Sequence, residues 1–173
     1  QAEAVGDPLA EARLQGVLGY TLLGLGGHGK AVVVLERARA TQERELGADH
    51  LDTLDTLHKL AEAYHDVGRT AESIALIERV RDARVKKLGA DHPDTLDTLN
   101  ILAGGYGAAG RTSDAISLYE RVRDASVKKR GADHPKTLLA LNNLAVAYKA
   151  AGRTTDAIAV YEQVRDAQAR KQG

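Results

Sequence analysis

Apolar residues recur along this chain at intervals of three and four, the spacing that places them on one face of an α-helix. Within residues 91–132, the first run of apolar positions consists of Leu96, Leu99, Leu102, Ala103 and Tyr106. The second run consists of Ala115, Ile116, Tyr119, Val122 and Val127. Gly110 lies between the runs, where glycine can end a helix because it adopts the left-handed conformation without strain. The pattern predicts two amphipathic helices joined by a short turn.

This pair of runs returns every 42 residues, because the string Gly-Ala-Asp-His occurs at Gly47–His50, Gly89–His92 and Gly131–His134. One period earlier there is a more divergent copy, so the sequence predicts four repeats, at residues 7–48, 49–90, 91–132 and 133–173. A single helix pair cannot bury its apolar stripe, whereas stacked pairs bury a continuous core. We therefore predict an all-α fold in which eight antiparallel helices form one solenoid array over residues 1–173.

Polar residues indicate where the helices begin. Three aspartates stand near the start of a first helix, where an aspartate can cap the free amides of the first turn: Asp49, Asp91 and Asp133. The histidines that follow them recur once per repeat and are interpreted as structural turn residues: His50, His92 and His134. Asp91 and Asp94 have roughly the spacing of a capping box, and Thr112 is expected to cap the second helix of its repeat.

Composition and charge exclude several classes of function. The 24 Lys and Arg residues balance 24 Asp and Glu residues, so net charge attracts the chain neither to nucleic acid nor to a membrane surface. No stretch approaches the roughly 20 apolar residues of a membrane span, and the N-terminus does not resemble a signal peptide. The absence of Cys excludes disulfides and thiolate zinc sites. We expect a cytoplasmic protein, and the absence of Met indicates a piece of a longer chain.

One string is similar to a phosphate-binding loop. Residues Gly24–Ala31 match both G-x-x-x-x-G-K and G-x-G-x-x-G. A phosphate loop needs a preceding strand and a Ser or Thr after the Lys, but Ala31 follows Lys30, and Leu14–Leu23 occupies a helical position of the repeat. The string is therefore interpreted as a glycine-rich turn, and no cofactor is predicted.

A second candidate is a metal site. His58, Glu62 and His65 stand four and three residues apart, so one helix face could present all three side chains to a zinc ion. The third and fourth repeats carry nothing similar, so we predict a polar surface and no metal. No Ser/His/Asp set has the context of a nucleophile. We therefore predict that the chain is not an enzyme.

The repeat resembles the tetratricopeptide repeat (TPR). The positions that carry this resemblance in the third repeat are Leu99, Leu102, Ala103, Tyr106, Gly110, Ala115, Tyr119 and Val122. The usual repeat has about 34 residues. The longer form here, with Gly-Ala-Asp-His-Pro and with Leu141–Ala145 reading Leu-Asn-Asn-Leu-Ala, is similar to the kinesin-light-chain subgroup. The resemblance implies a right-handed superhelix whose concave groove binds a partner protein as a scaffold or adaptor, without catalysis.

The resemblance also places the groove-lining residues on the first helix of each repeat. They are Arg13, Tyr20, Asp55, His58, Glu62, His65, Asp97, Asn100, Leu139, Asn142, Val146 and Lys149, together with Gly104 and Gly107. Acidic residues concentrate in the second repeat, whereas the first helix of the fourth carries Lys136 and Lys149 with no acid between them. We therefore expect an extended partner segment of mixed charge, whose backbone Asn100 and Asn142 could hold.

Two other functions stay open. Val160, Val164 and Tyr161 on the last helix would be uncovered if no repeat followed them, so the array could self-associate into a homo-oligomer through its terminal repeats. Similar arrays also occur at the C-terminal end of bacterial and fungal signalling ATPases. The third hypothesis is therefore a sensor array that regulates an attached ATPase or DNA-binding domain.

Overall fold

In the computed structural model, which describes residues 7–170, the chain forms eight α-helices and no strand within that range. In chain order they are α1 Pro8–Gly24, α2 His28–Glu45, α3 Leu51–Asp66, α4 Thr70–Leu88, α5 Pro93–Ala108, α6 Thr112–Arg130, α7 Pro135–Ala150 and α8 Thr154–Arg170. Helices α3, α5 and α7 begin at Leu51, Pro93 and Pro135, one sequence period apart. The predicted all-α class and helical repeat are confirmed.

The chain divides into two compact units, Gln1–Arg84 and Val85–Gly173, called unit 1 and unit 2 below. In unit 1, α1 packs on α2, α2 packs on α3, and α1 also contacts α3. In unit 2, α5 packs on α6, α6 packs on α7, and α7 packs on α8, with a further contact between α5 and α7. The first helices of successive pairs therefore contact each other within each unit.

Leucines from the predicted helix faces form the core of each unit. The fully buried leucines of unit 1 are Leu35, Leu54, Leu57 and Leu60, and those of unit 2 are Leu96, Leu99, Leu102 and Leu144. The chain has no Phe, Trp or Met, so Leu, Ile, Val, Ala and Tyr form its hydrophobic core. Small residues also allow the helices to approach each other closely. A Cβ atom added to Gly19 would lie 2.5 Å from the side chain of Leu35, which shows how closely α1 approaches α2.

A glycine in the left-handed conformation follows the first helix of each pair. These glycines are Gly26, Gly68, Gly110 and Gly152, and their φ angles lie between 74° and 79°. After α5, the N–H of Arg111 donates to the carbonyl of Tyr106 at 2.8 Å, as in a Schellman motif. The left-handed cap predicted at Gly110 is confirmed. Gly24–Ala31 contains the equivalent turn, and the helix α1 precedes it where a phosphate loop would need a strand.

Histidines cap α3, α5 and α7, and the prediction of aspartate caps is wrong. In each case the ring Nδ1 accepts a hydrogen bond at 3.2 Å from the backbone N–H two residues later, and the capping residues are His50, His92 and His134. Asp91 lies one residue too early, since it is His92 that has the extended backbone of an N-cap, with φ −66° and ψ 142°. Thr112 is also not a cap, because it is the first residue of α6 and follows the N-cap Arg111.

Two side chains of α8 are more deeply buried than the sequence predicts. Val160 is 6% exposed and Val164 is 5% exposed, so the prediction that these side chains are uncovered is wrong. Both are buried within unit 2, where α8 packs on α7. Tyr161 is exposed as predicted, at 39%. Among residues 7–170, no helix combines the length and the apolar character needed to cross a membrane.

Candidate partner-binding surface

A tyrosine anchors the first helix of one pair to the second helix of the pair before it. In unit 1, the hydroxyl of Tyr64 on α3 donates to Glu36 on α2 at 2.8 Å. Arg69 follows α3, lies 3.9 Å above the Tyr64 ring and contacts Glu36 at 3.3 Å. The same stack recurs at Arg111 over Tyr106 and at Arg153 over Tyr148, at 3.8 and 4.2 Å. All three tyrosines are buried, at 5–7% exposure, and the hydroxyl of Tyr148 on α7 donates in the same way to Glu120 on α6.

Two predicted groove residues of unit 1 bind a buried arginine. Arg84 of α4 is 4% exposed, and its Nη2 donates to the Asp55 carboxylate. Its Nη1 lies 3.3 Å from Nδ1 of His58, which is itself only 8% exposed. The structure thus places His58 behind the surface that the sequence predicted it to line. The physical reason is that a buried guanidinium requires polar partners, which Asp55 and His58 supply.

The accessible part of unit 1 lies along α1 and α3. Tyr20 is 61% exposed, and Nζ of Lys59 lies 4.9 Å from the centre of its ring. The same ammonium contacts Glu62 at 3.1 Å. Arg13 is exposed and pairs with Asp52 on α3 at 3.5 Å. This surface therefore offers an aromatic ring among charges that are already matched.

The candidate zinc ligands have separate environments. His58 contacts Arg84, Glu62 contacts Lys59, and His65 is half-buried with an Nδ1 atom that has no hydrogen-bond partner among residues 7–170. Within the same range, no group of three His, Asp or Glu side chains is arranged to hold a metal ion. The helix therefore does not bring the two histidines and the glutamate together as a ligand set.

In unit 2, Asp97 on α5 is bound from two sides. Arg130 at the end of α6 donates to its Oδ1 at 3.2 Å and also to the carbonyl of Pro93 at 3.0 Å. Lys136 at the start of α7 forms an ion pair with Oδ2. Lys136, which the sequence assigned to a basic part of the groove, is thus matched by a carboxylate. Arg13 and Asp52 occupy the same two repeat positions in unit 1, with the charges exchanged.

An amide pair links α5 to α7. The Nδ2 atom of Asn143 donates to Oδ1 of Asn100 at 3.1 Å, so Asn100 uses one of its hydrogen-bonding positions within unit 2. Asn142 is half-buried. The glycines Gly104 and Gly107 are not required by packing, because added Cβ atoms would lie 3.4 Å or more from their neighbours.

The most accessible of the predicted groove residues in unit 2 lie on α7. Leu139 is 53% exposed and Val146 is 58% exposed. Lys149 is exposed, and it forms no ion pair within residues 7–170. This helix therefore presents apolar side chains and a cation together.

Sequence reasoning missed two arginines, one in each unit, that bind predicted groove residues. Arg84 and Arg130 both lie near the end of a second helix, yet they occupy different positions of the repeat, aligned with Ser126 and Leu88. No periodic signal therefore marks them. Asn143 had a visible signal in the Asn-Asn dipeptide, but its contact with Asn100 depends on how α5 packs on α7.

Comparison with known proteins places the chain among helical repeats. A family profile of the tetratricopeptide repeat matches residues 10–84, 55–127 and 116–170, which together span most of the sequence. No curated protein sequence matches the chain.

Several solved structures share the fold. One is a substituted form of a candidate kinesin light chain of Podosopora anserina with nearly identical TPR-like repeats, at 32% identity and a TM-score of 0.81, covering 99% of this chain and 82% of the other. Another structure of that kinesin light chain is 34% identical, with a TM-score of 0.74 and coverage of 93% and 76%. BtubC (BKLC) from P. vanneervenii matches in fold alone, at 16% identity and a TM-score of 0.85, covering 100% of this chain and 69% of the other.

Proposed function

Because the chain belongs to the tetratricopeptide repeat family, whose repeats mediate protein–protein interaction, we propose that α7 binds an extended segment of a partner protein. The neighbouring repeats position this helix as part of a scaffold or adaptor. Binding of this kind requires no catalytic step, so the proposed function is that of a binding module and not of an enzyme. Among the predicted groove residues, those on α7 combine exposed apolar side chains with a cation that forms no ion pair within residues 7–170.

The observation that carries the proposal is a row of side chains on one face of α7. Leu139, Asn142, Val146 and Lys149 are separated by three, four and three residues, so they follow one another along the helix. The row is about 15 Å long, which matches about five residues of extended chain. An extended peptide can therefore lie along the whole row.

The chemistry of the row defines the partner. Leu139 and Val146 are more than half exposed and suit apolar side chains of the peptide. Lys149 suits an acidic residue near one end, since an ammonium without an ion pair attracts a carboxylate. Asn142 offers both a donor and an acceptor to the peptide backbone. The proposed partner segment therefore contains two apolar residues and an acidic residue within a short extended stretch.

A random peptide library displayed on phage tests this partner chemistry. Selection against the immobilised chain is expected to enrich peptides with two apolar residues near an aspartate or glutamate. Fluorescence polarisation with the enriched peptide then gives its dissociation constant. Failure to enrich any peptide, or enrichment of lysine- and arginine-rich peptides, contradicts the proposal.

Two variants locate the binding surface. Asn142→Ala combined with Lys149→Ala is expected to weaken binding of the enriched peptide about tenfold. Val146→Asp is expected to weaken it by a similar factor. The matched control is Ile158→Asp, because Ile158 on α8 is 53% exposed and lies on a second helix. Equal binding by the Val146→Asp and Ile158→Asp variants excludes α7 as the binding surface.

Self-association is a second candidate function, and α1 favours it. Leu14 and Leu18 on α1 are 71% and 49% exposed, and Leu25 at its C-cap is 78% exposed. A contiguous patch of exposed apolar residues can mark a surface that another chain covers. Light scattering over a range of concentrations tests this candidate, together with the variant that combines Leu14→Lys with Leu18→Glu. A mass that stays monomeric at every concentration excludes self-association.

A further inference from the structure

Unit 1 contains a cavity of about 380 Å³ between α1, α2 and α3. Its lining includes Gly16, Val17 and Tyr20 from α1, Leu35 and Gln42 from α2, and Lys59 from α3. The volume is within the range of natural small-ligand sites. Gly16, Val17, Tyr20 and Leu35 form the apolar part of the lining, whereas its remaining residues on α1 and α3 are polar or charged. Gln42 brings an amide to the buried side.

The cavity exists because three repeat positions differ between the first and second helix pairs. In the second pair, Arg84, Asp55 and His58 fill the space with a buried hydrogen-bonded cluster. The equivalent positions in the first pair hold Gln42, Arg13 and Gly16. Arg13 is exposed and points to Asp52, and Gly16 has no side chain. The space that His58 occupies in the second pair is therefore left open in the first.

The side chain of Gln42 lies at this space. It is 3% exposed, and its Oε1 atom is buried without a hydrogen bond to any residue between 7 and 170. A buried amide oxygen that is not hydrogen-bonded is unfavourable, because it has lost water and gained nothing in exchange. Rotation about χ3 of glutamine is soft, so either end of the amide can turn toward the cavity. A group that hydrogen-bonds this amide would remove the penalty.

The charges at the rim indicate a neutral ligand. Arg13 pairs with Asp52 at 3.5 Å, Lys59 pairs with Glu62 at 3.1 Å, and Asp55 pairs with Arg84. A charged ligand placed against Gln42 would lose its hydration with no counter-charge beside it. A neutral donor and acceptor, by contrast, can pair with both ends of the glutamine amide. Val17 and Tyr20 supply apolar surface for the rest of the ligand.

We propose that this cavity binds a primary carboxamide, which forms a reciprocal pair of hydrogen bonds with the side chain of Gln42. The ligand is a neutral amide on a small apolar or aromatic frame, such as an asparagine or glutamine side chain or a free aromatic amide. The proposal is independent of peptide binding on α7, since all the residues that it uses lie in unit 1.

Benzamide and acetophenone are a matched pair of probes, because acetophenone has the same shape but lacks the N–H donors. In ¹H–¹⁵N correlation spectra of the full chain, benzamide is expected to change the chemical shift of the Gln42 side-chain amide resonance. This change should saturate as the benzamide concentration rises. Acetophenone is expected to bind about fivefold to tenfold more weakly, in line with the loss of a hydrogen bond. Equal affinity of the two probes, or benzamide shifts that map outside unit 1, overturns the proposal.

Gly16→His fills the cavity as His58 does in the next pair. A Cβ atom at Gly16 would lie 3.8 Å from Thr56 Oγ1, which is ordinary contact, so the fold should tolerate the change. Benzamide binding is expected to disappear in this variant. Gln42→Leu is expected to reduce benzamide affinity to that of acetophenone.

Gly24→His is the control, because it places the same side chain at the end of α1 with no atom within 4 Å of its Cβ. Thermal unfolding by circular dichroism verifies that each variant is folded. Unchanged benzamide binding in a folded Gly16→His variant overturns the proposal, and so does equal loss in Gly24→His.

Discussion

The hydroxyl of Tyr148 donates a 2.5 Å hydrogen bond to Oε1 of Glu120, which joins α7 to α6. Tyr148 is 5% exposed, and Arg153 lies 4.2 Å above its ring. Tyr148→Phe keeps the ring and the stacked guanidinium but removes this bond. It also leaves the Glu120 carboxylate without its donor. We expect the free energy of unfolding to fall by about 1–2 kcal/mol, measured by urea denaturation.

The control for this prediction is Tyr161→Phe, since Tyr161 on α8 is 39% exposed. Combining Tyr148→Phe with Glu120→Ala in a double-mutant cycle isolates the energy of the hydrogen bond. If Tyr148→Phe destabilises the protein no more than Tyr161→Phe, the bond does not contribute to stability.

Stability is expected to decrease at alkaline pH because of buried tyrosines. Burial raises the pKa of Tyr119 to about 12. Burial, followed by the hydrogen bond to Glu120, also raises the pKa of Tyr148. A tyrosine with a raised pKa in the folded state favours folding fully below the unfolded value of about 10. That contribution is lost as the pH rises from about 10 to about 12, by on the order of 2 kcal/mol for Tyr119.

Denaturation curves at several alkaline pH values test this dependence. Tyr119→Phe is expected to flatten the decrease in unfolding free energy, because it removes the buried hydroxyl whose pKa is raised. The parent and the Tyr119→Phe variant would have parallel pH profiles if Tyr119 ionised freely in the folded state.

Substitutions of His92 and Asp91, at the start of α5, are expected to differ in their effect on stability. The ring of His92 accepts a hydrogen bond from the N–H of Asp94, so His92→Ala is expected to lower stability by about 1 kcal/mol. His92→Asn supplies another side-chain acceptor and should recover most of this loss. Asp91→Ala is expected to have little effect. Equal destabilisation by His92→Ala and Asp91→Ala in urea denaturation contradicts the histidine cap.

Gly19 is required by the packing of α1 on α2. Gly19→Ala places a Cβ atom 2.5 Å from the Leu35 side chain, so we expect a loss of about 1–3 kcal/mol despite the better helix propensity of alanine. Gly24→Ala meets no atom within 4 Å and should be neutral or stabilising by up to about 1 kcal/mol. Thermal unfolding of the two variants compares them directly. A Gly19→Ala variant as stable as Gly24→Ala would show that α1 and α2 can move apart freely.

Much of the fold could be predicted from the sequence because its determinants are local. The buried leucines Leu99 and Leu102 follow helical spacing, and Gly110 provides the conformation that ends α5. The helix start was predicted less well. Asp91 and His92 are both plausible caps by residue type, and only the backbone angles decide that His92 occupies the N-cap position.

The candidate site depended more strongly on contacts between helices. His58 and Asn100 occupy the same repeat position, yet His58 is buried against Arg84 whereas Asn100 bonds to Asn143. The repeat alignment predicts equal roles for them. Their different environments arise because each meets a different side chain from another helix.

The amino-acid sequence by itself determined the eight helices within residues 7–170 and their period, since apolar spacing and turn glycines act within a single helix pair. Tertiary structure decided which polar residues are available. Arg84 and Arg130 reach across to a neighbouring helix and engage Asp55 and Asp97, whereas the missing side chain at Gly16 opens a cavity beside Gln42. The physical reason is that burial and ion pairing depend on where the ends of long side chains meet, which only the packing of helices specifies.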